Sequence, residues 1–389
     1  MNSGGFMEPL KPIRDVAGLL QQSGRLEFGR GRIAAIIALT LGVLCFLGVI
    51  AFHFPQYLTT PELRKSYSVD VLRNVMLAAM VVSGGLALAG LFFRRSRSLN
   101  VTALVFVLSA AVLGGHRVPV GDFPDGTLYI GLDWFILDLL GSTLIFIFIE
   151  KLFPLHKEQP VFRPGWQTDF THFMVNHFLI GIALLTVNFL IHRFFGWAVY
   201  APLQAWIAGL PFFAQLFFIL LAADLVQYWT HRAYHEVPFL WRFHAVHHSA
   251  KYMDWMAGSR LHMFELVVTR VGVLGTIYVL GFPKEVMDIY IIIVGFQAVF
   301  NHANVNLPWG PFKYLFVTPD FHHWHHSSDR EALDRNYAAH FAFIDYAFGT
   351  AVKSERRFPE QYGVLGDYMP EGYLRQQMFP FVFKEKAAE

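Results

Sequence analysis

Between Asp224 and Lys251 the chain reads DLVQYWTHRAYHEVPFLWRFHAVHHSAK, which places His231, His235, His244, His247 and His248 directly after an apolar run at 208–228. Imidazole is costly beside lipid, so the fold turns on where this cluster sits relative to a bilayer. The rest of the chain supplies that bilayer. Of 389 residues 54% are hydrophobic and only 15% charged, whereas soluble chains carry about a quarter charged residues. Mean hydropathy is +0.40. A net charge of +2 argues against a nucleic-acid partner, for which a concentrated basic surface is expected. The single cysteine, Cys45, excludes an intrachain disulfide and any cysteine-based metal site.

A helix needs roughly 20 apolar residues to cross a hydrocarbon core. Runs at 33–53, 71–93, 99–116, 127–149, 173–195 and 208–228 meet that length. Shorter runs at 264–281 and 286–301 flank Gly281-Phe282-Pro283 and contain Arg270 and Asp288. They form a hairpin, spanning or re-entrant, that returns the chain to the side it left. The fold class is therefore all-α, a polytopic transmembrane helical bundle.

Loop charge sets the orientation. Lys11, Arg14, Arg25, Arg30 and Arg32 precede the first run, which speaks against a signal peptide. Arg94, Arg95 and Arg97 follow the second run, and Lys151, Lys157 and Arg163 the fourth. The opposite loops hold Arg64 and Lys65, then Arg117, then Arg193. This asymmetry puts the N-terminus, residues 229–263 and everything after about 302 in the cytoplasm. Residues 1–125 read as an accessory transmembrane region, 126–366 as the histidine-rich catalytic part and 367–389 as a tail.

His231 and His235 are four apart, which stacks them on one helical face. His244, His247 and His248 repeat that spacing, as do His322, His325 and His326 in FHHWHH. Neutral imidazole suits Fe, Zn, Cu or Ni. Eight such residues exceed what one four-coordinate zinc can use, so two metal ions sharing the set is the economical reading. His302 closes the apolar hairpin on the same face and joins the candidates, with His262 of GSRLHMFE; His172 is a weaker case. The isolated His53, His116, His156, His177 and His192 are better read as packing or helix-end residues, and His323 and His340 are ambiguous. The nearby carboxylates Asp224, Glu236, Asp334 and Asp345 are candidates for orienting ligand rings. Asp224, two helical turns before His231, could equally satisfy the end of a span.

At these residues the chain resembles the fatty acid hydroxylase/sterol desaturase superfamily of integral membrane non-haem di-iron enzymes. The likeness spans about 130–366 and rests on DLVQYWTHRAYHEVPFLWRFHAVHHS, MDWMAGSRLHMFE, FNHANVNLP, TPDFHHWHHSSDREALDRNYA, IDYAFGT and FPEQYGV. The superfamily's three histidine motifs correspond here to His231 and His235, to His244, His247 and His248, and to His322, His325 and His326. Relatives recruit further histidines, which brings in His262 and His302. The resemblance implies two iron ions, dioxygen as co-substrate, and hydroxylation (or desaturation) of a sterol, fatty acyl or other isoprenoid or ether lipid. The chain shows no dinucleotide fingerprint, haem-attachment motif or iron–sulfur cysteine set. A separate reductase, cytochrome, ferredoxin or reduced pterin is therefore implied as electron donor. Two other classes compete. A histidine-lined metal transporter would place its ionisable residues near the bilayer midplane. A zinc-dependent membrane hydrolase would need a general base, for which Glu236 beside His235 stands available.

Overall fold

A computed structural model describes residues 32–64, 68–120, 129–354 and 357–382. Lys11, Arg14, Arg25, Arg30 and Lys65, which entered the charge argument, lie outside the described residues, as do 126–128 and 383–389. The described residues form helices and connecting loops with two isolated β-bridges. The main helices are α1 (Arg32–His53), α2 (Val69–Phe92), α3 (Arg97–Val112), α4 (Leu132–Leu152), α5 (Trp166–Phe195), α6 (Ala201–Ala208), α7 (Phe212–Glu236), α8 (Pro238–His244), α9 (Met263–Leu280), α10 (Lys284–His302), α11 (Pro319–His325), α12 (Ala342–Phe348) and α13 (Tyr373–Val382).

Six helical segments among the described residues are long and apolar enough to cross a membrane: Ala34–His53, Val69–Phe92, Arg97–Arg117, Leu132–Leu152, Phe212–Glu236 and Met263–Leu280. The chain is a multi-pass integral membrane protein. The run expected at 173–195 lies within the 30-residue α5. The hairpin resolves into α9, itself of spanning length, and α10. Gly281, in the left-handed region at φ 70°, ends α9, a conformation that costs glycine nothing.

The chain divides into two compact units, residues 1–140 with 158–163 and residues 141–157 with 164–389, the division falling inside α4. In the first unit α1, α2 and α3 meet through small residues, with Ala38, Ala87 and Ala103 at the contact. Lipid tails are as apolar as leucine, so such helices associate through close backbone approach rather than hydrophobic drive. Ser83 donates to Ala38 O at 2.6 Å. A Cβ at Gly42 would lie 3.0 Å from Ala103 O.

In the second unit Ile219 and Ala223 of α7 pack against Val273 and Ile277 of α9 and Val286 and Tyr290 of α10. Further along α7, Tyr228 packs against Phe321, Tyr337, Phe341 and Ile344. Pro238 at the first position of α8 cannot continue α7, because it lacks the N–H that an interior turn requires. The chain therefore turns just after His235 and returns with His244. The start of α5, the end of α7, the start of α9 and the end of α10 converge on the loops that carry the remaining histidines.

Gly42→Leu should destabilise the first unit by about 1–3 kcal/mol through overpacking, while Gly85→Leu, whose Cβ meets nothing within 4 Å, should not. Thermal unfolding of both variants in the same detergent reads the difference.

Candidate metal centre

Two groups of imidazoles assemble in the second unit. His231, His235, His244, His248 and His325 form one; His247, His302, His322 and His326 form the other, with the ligand atoms of each group within 4.8 Å of one another. The groups share a wall. His248 and His326 stack with centroids 4.5 Å apart, and His244 lies 5.3 Å from His247.

Hydrogen bonds at Nδ1 decide which way these rings present a lone pair. His247 Nδ1 donates to Arg260 O at 2.9 Å and His302 Nδ1 to Ala298 O at 2.7 Å. A carbonyl only accepts, so in the neutral ring each Nε2 carries a lone pair. Those two Nε2 atoms face each other at 3.3 Å, an arrangement that is repulsive unless a cation sits between them. His322 Nε2 lies 3.1 Å from His302 Nε2, and His326 Nε2 lies 3.1 Å from His322 Nε2. The first group repeats the pattern. His231 and His325 donate through Nδ1 to Tyr337 O and Arg335 O at 2.7 and 2.8 Å. His231 Nε2 and His248 Nε2 lie 3.0 and 3.1 Å from His244 Nε2. The Nε2 atoms of His235 and His325 are buried without a hydrogen-bond partner, a costly condition for a polar atom with no ligand.

Neutrality follows from burial. Desolvation first, and then the neighbouring imidazoles, hold His244, His248, His322 and His326 well below the ordinary histidine value. His247 and His325 are lowered in the same way. An imidazole–metal bond of about 2.1 Å puts ligands at right angles about 3.0 Å apart. The observed separations of 3.0–3.3 Å fit that spacing, and an all-imidazole donor set suits Fe, Zn, Cu or Ni. The residues present therefore fit a pair of metal ions.

Nine of the ten candidate ligands come together. His262 does not. Its Nδ1 accepts from Phe264 N at 3.0 Å and its Nε2 meets Gln377 O at 2.9 Å, so both ring nitrogens serve the start of α9. Among the candidate carboxylates only Asp334 reaches a ring, at 3.3 Å from His235 Nδ1. Glu236 lies at the surface, paired with Arg232 at 2.7 Å. Asp224 touches no ligand imidazole; it accepts from the backbone N–H of Ala339, His340 and Phe341 at 2.7, 3.1 and 2.6 Å. Asp345 accepts from Tyr337 N and Ala338 N at 2.8 Å each. Two buried carboxylates thus hold the successive amides of 337–341 and so aim the Tyr337 carbonyl at His231. A second carboxylate that meets a candidate ligand ring is one the sequence did not single out. Glu265, in the first turn of α9, lies 2.8 Å from His244 Nδ1; its sequence signal is no more than an acid at a helix N-terminus, a common stabilising choice. The backbone carbonyl acceptors have no sequence signal.

Histidines outside the two groups have other partners. His172 meets Gln376 Oε1 at 2.8 Å, His340 meets Gln297 Oε1 at 2.9 Å and His53 meets Leu113 O at 2.8 Å. His323 bridges the Tyr362 hydroxyl and Ala303 O. His116, His156, His177 and His192 stand outside both groups. Trp241 covers the first group, its ring centroid 5.0 Å from His235 and 5.4 Å from His248.

Residues 216–350 match the fatty acid hydroxylase family. The ornithine lipid hydroxylase OlsE of Rhizobium tropici is 28% identical over 260 residues, 64% of this chain and 76% of that protein. Methylsterol monooxygenase 2-2 of Arabidopsis thaliana is 25% identical over 215 residues, 54% and 79% of the two chains. The alkylglycerol monooxygenase of Homo sapiens is 29% identical over 130 residues, 33% of this chain and 29% of that protein. No solved structure matches the chain significantly.

Glu265→Gln should weaken metal binding about 10–100-fold, the usual cost of losing a group that orients a ligand. Glu236→Gln and His262→Ala should leave stoichiometry and affinity unchanged. Equilibrium titration of metal-depleted protein distinguishes the three; full affinity in Glu265→Gln would show that this carboxylate does not act on the centre.

Proposed function

We propose, from the match of residues 216–350 to the fatty acid hydroxylase family, that this chain is a membrane-bound di-iron oxygenase that uses dioxygen to hydroxylate a C–H bond of a lipid. The observation that carries this reading is the pair of adjacent, buried, all-imidazole groups in which neutral Nε2 lone pairs converge. Two irons held there would supply the redox chemistry that dioxygen reduction needs and zinc lacks. His231, His235, His244, His248 and His325 would hold one ion, and His247, His302, His322 and His326 the other.

The chain's own residues do the positioning. The carbonyls of Tyr337, Arg335, Arg260 and Ala298 lock ring orientation, so the donor atoms are placed before any ligand arrives. Burial of the imidazoles, with Trp241 against the first group, keeps water from the site, which suppresses side reactions of a strong oxidant. The groups lie at helix ends, where an apolar chain can arrive from the bilayer while a polar head stays at the interface. Related proteins bear names that specify ornithine lipid, alkylglycerol and methylsterol chemistry. The substrate class proposed here is accordingly a sterol, fatty acyl lipid or other isoprenoid or ether lipid, with hydroxylation ahead of desaturation. Residues 126–366 carry the reaction, the site faces the cytoplasm, and a separate electron donor docks there. The hydrolytic reading loses its general base, since Glu236 is engaged by Arg232 at the surface. The transporter reading is weakened by the position of both groups at helix ends rather than mid-span.

Protein purified anaerobically should contain about two irons per chain, the count that two imidazole-lined sites demand. His325→Ala should lose metal and all turnover while still inserting, and His53→Ala should keep both. Lipids of a deletion strain should lack species carrying one added oxygen, restored by the intact chain and not by His325→Ala. An unchanged lipid profile in that strain, or an active His325→Ala, would remove the proposal's basis.

A further inference from the structure

α13 carries an apolar stripe on the side turned away from the protein. An amphipathic surface helix ordinarily turns its apolar stripe to the core and its polar face outward. Here Leu374, Met378, Phe381 and Val382, which share one face by helical spacing, are 75%, 54%, 67% and 66% exposed. The inward face is mixed, with the polar Gln376 only 1% exposed beside the buried Phe379 and Pro380. Its neighbour Gln377 is also turned to the protein.

The two glutamines explain the inward face. Gln377 accepts from Met263 N at 3.1 Å and donates to Leu261 O at 2.9 Å, and its own carbonyl takes the His262 ring. α13 is thereby fastened across the N-terminus of α9, a helix of membrane-spanning length. The end of such a helix marks the edge of the hydrocarbon. Gln376 accepts from His172 and donates to Ser249 Oγ at 3.1 Å, and Ser249 directly follows His247 and His248. Arg260, whose carbonyl orients His247, donates to the same Ser249 hydroxyl at 3.1 Å and pairs with Asp169. One short helix therefore grips, through its polar side, the segment 249–263 that lies between the histidine loop and α9.

The outward stripe continues into exposed apolar residues of its neighbours. Phe264 of α9 is 38% exposed and Phe239 of α8 is 58% exposed, and both rings pack on Phe243, which also meets Phe381. From this outward apolar stripe and this position we infer that α13 is an in-plane membrane helix. Its occupant is the bilayer interface, into which Leu374, Met378, Phe381 and Val382 insert, and its grip on 249–263 couples membrane contact to the order of the histidine loop. An apolar helical stripe of this kind binds in the headgroup–acyl boundary in proportion to the area it buries. The inference goes beyond the proposed chemistry and holds whether or not the histidines carry iron.

Site-directed fluorescence on the full chain in phospholipid vesicles tests it. In a Cys45→Ala background, bimane attached at Leu374→Cys or Met378→Cys should be quenched by brominated lipid and shielded from iodide. Glu371→Cys, just before the helix, should show the reverse. Iodide quenching at 374 and 378 equal to that at 371 would place the stripe in water and overturn the inference. Shielding from both quenchers together with cross-linking between copies at 378 would replace the bilayer by a second copy, also against it. For the coupling, Met378→Asp changes an outward side chain and leaves both glutamines in place. Amide exchange across 249–263 should rise several-fold in that variant in vesicles, with exchange in α2 unaltered as a control for folding. Unchanged exchange at 249–263 would sever the link between membrane contact and the loop.

Discussion

The second unit depends on the hydrogen bonds that backbone carbonyls make to histidine Nδ1 atoms. Each such bond fixes a tautomer and an azimuth together, so that the opposite nitrogen points its lone pair inward. Four carbonyls, from Tyr337, Arg335, Arg260 and Ala298, perform this for four rings drawn from three separate stretches of chain. A carbonyl cannot be exchanged by mutation, and its direction is set only by the conformation of its loop. The burden of orienting the centre therefore falls on whatever holds those loops.

Buried carboxylates hold one of them. Asp224 and Asp345 together take the amides of 337–341. Hydrogen bonds to a charged acceptor contribute about 1.5–3 kcal/mol each, and a buried amide left unpaired costs a similar amount. A loop bound this way has little freedom to rotate Tyr337 O away from His231. The Arg260 loop is held differently, by Asp169, Ser249 and the glutamines of α13. The apolar helices of the second unit are thus organised at one end by dense polar pairing. That is the condition under which buried polar groups specify one arrangement instead of destabilising it.

Legibility varied with the kind of interaction. The expected span at 208–228 stops where apolarity stops, yet α7 runs on to Glu236. Intrahelical bonding continues through polar residues until Pro238 ends it. The accident of that extension carries His231 and His235 on the final turns. His262 reads like the other histidines in sequence but caps α9, since both of its nitrogens find partners outside the imidazole groups. Glu236, adjacent to a candidate ligand in sequence, points to Arg232, whereas Glu265, distant in sequence, reaches His244. Adjacency along a helix puts side chains on different faces; contact across loops does not register in spacing.

By itself the sequence determined the membrane class, the approximate spans and the eight motif histidines, because composition and three- and four-residue spacing are local properties of the chain. Tertiary structure alone decided how nine imidazoles divide into two groups and which carbonyls and carboxylates aim them. It also decided that α13 turns its glutamines inward and Leu374, Met378 and Phe381 outward. These are pairings between residues as far apart as 117 and 204 positions, and only the packed helices bring such partners within hydrogen-bonding distance.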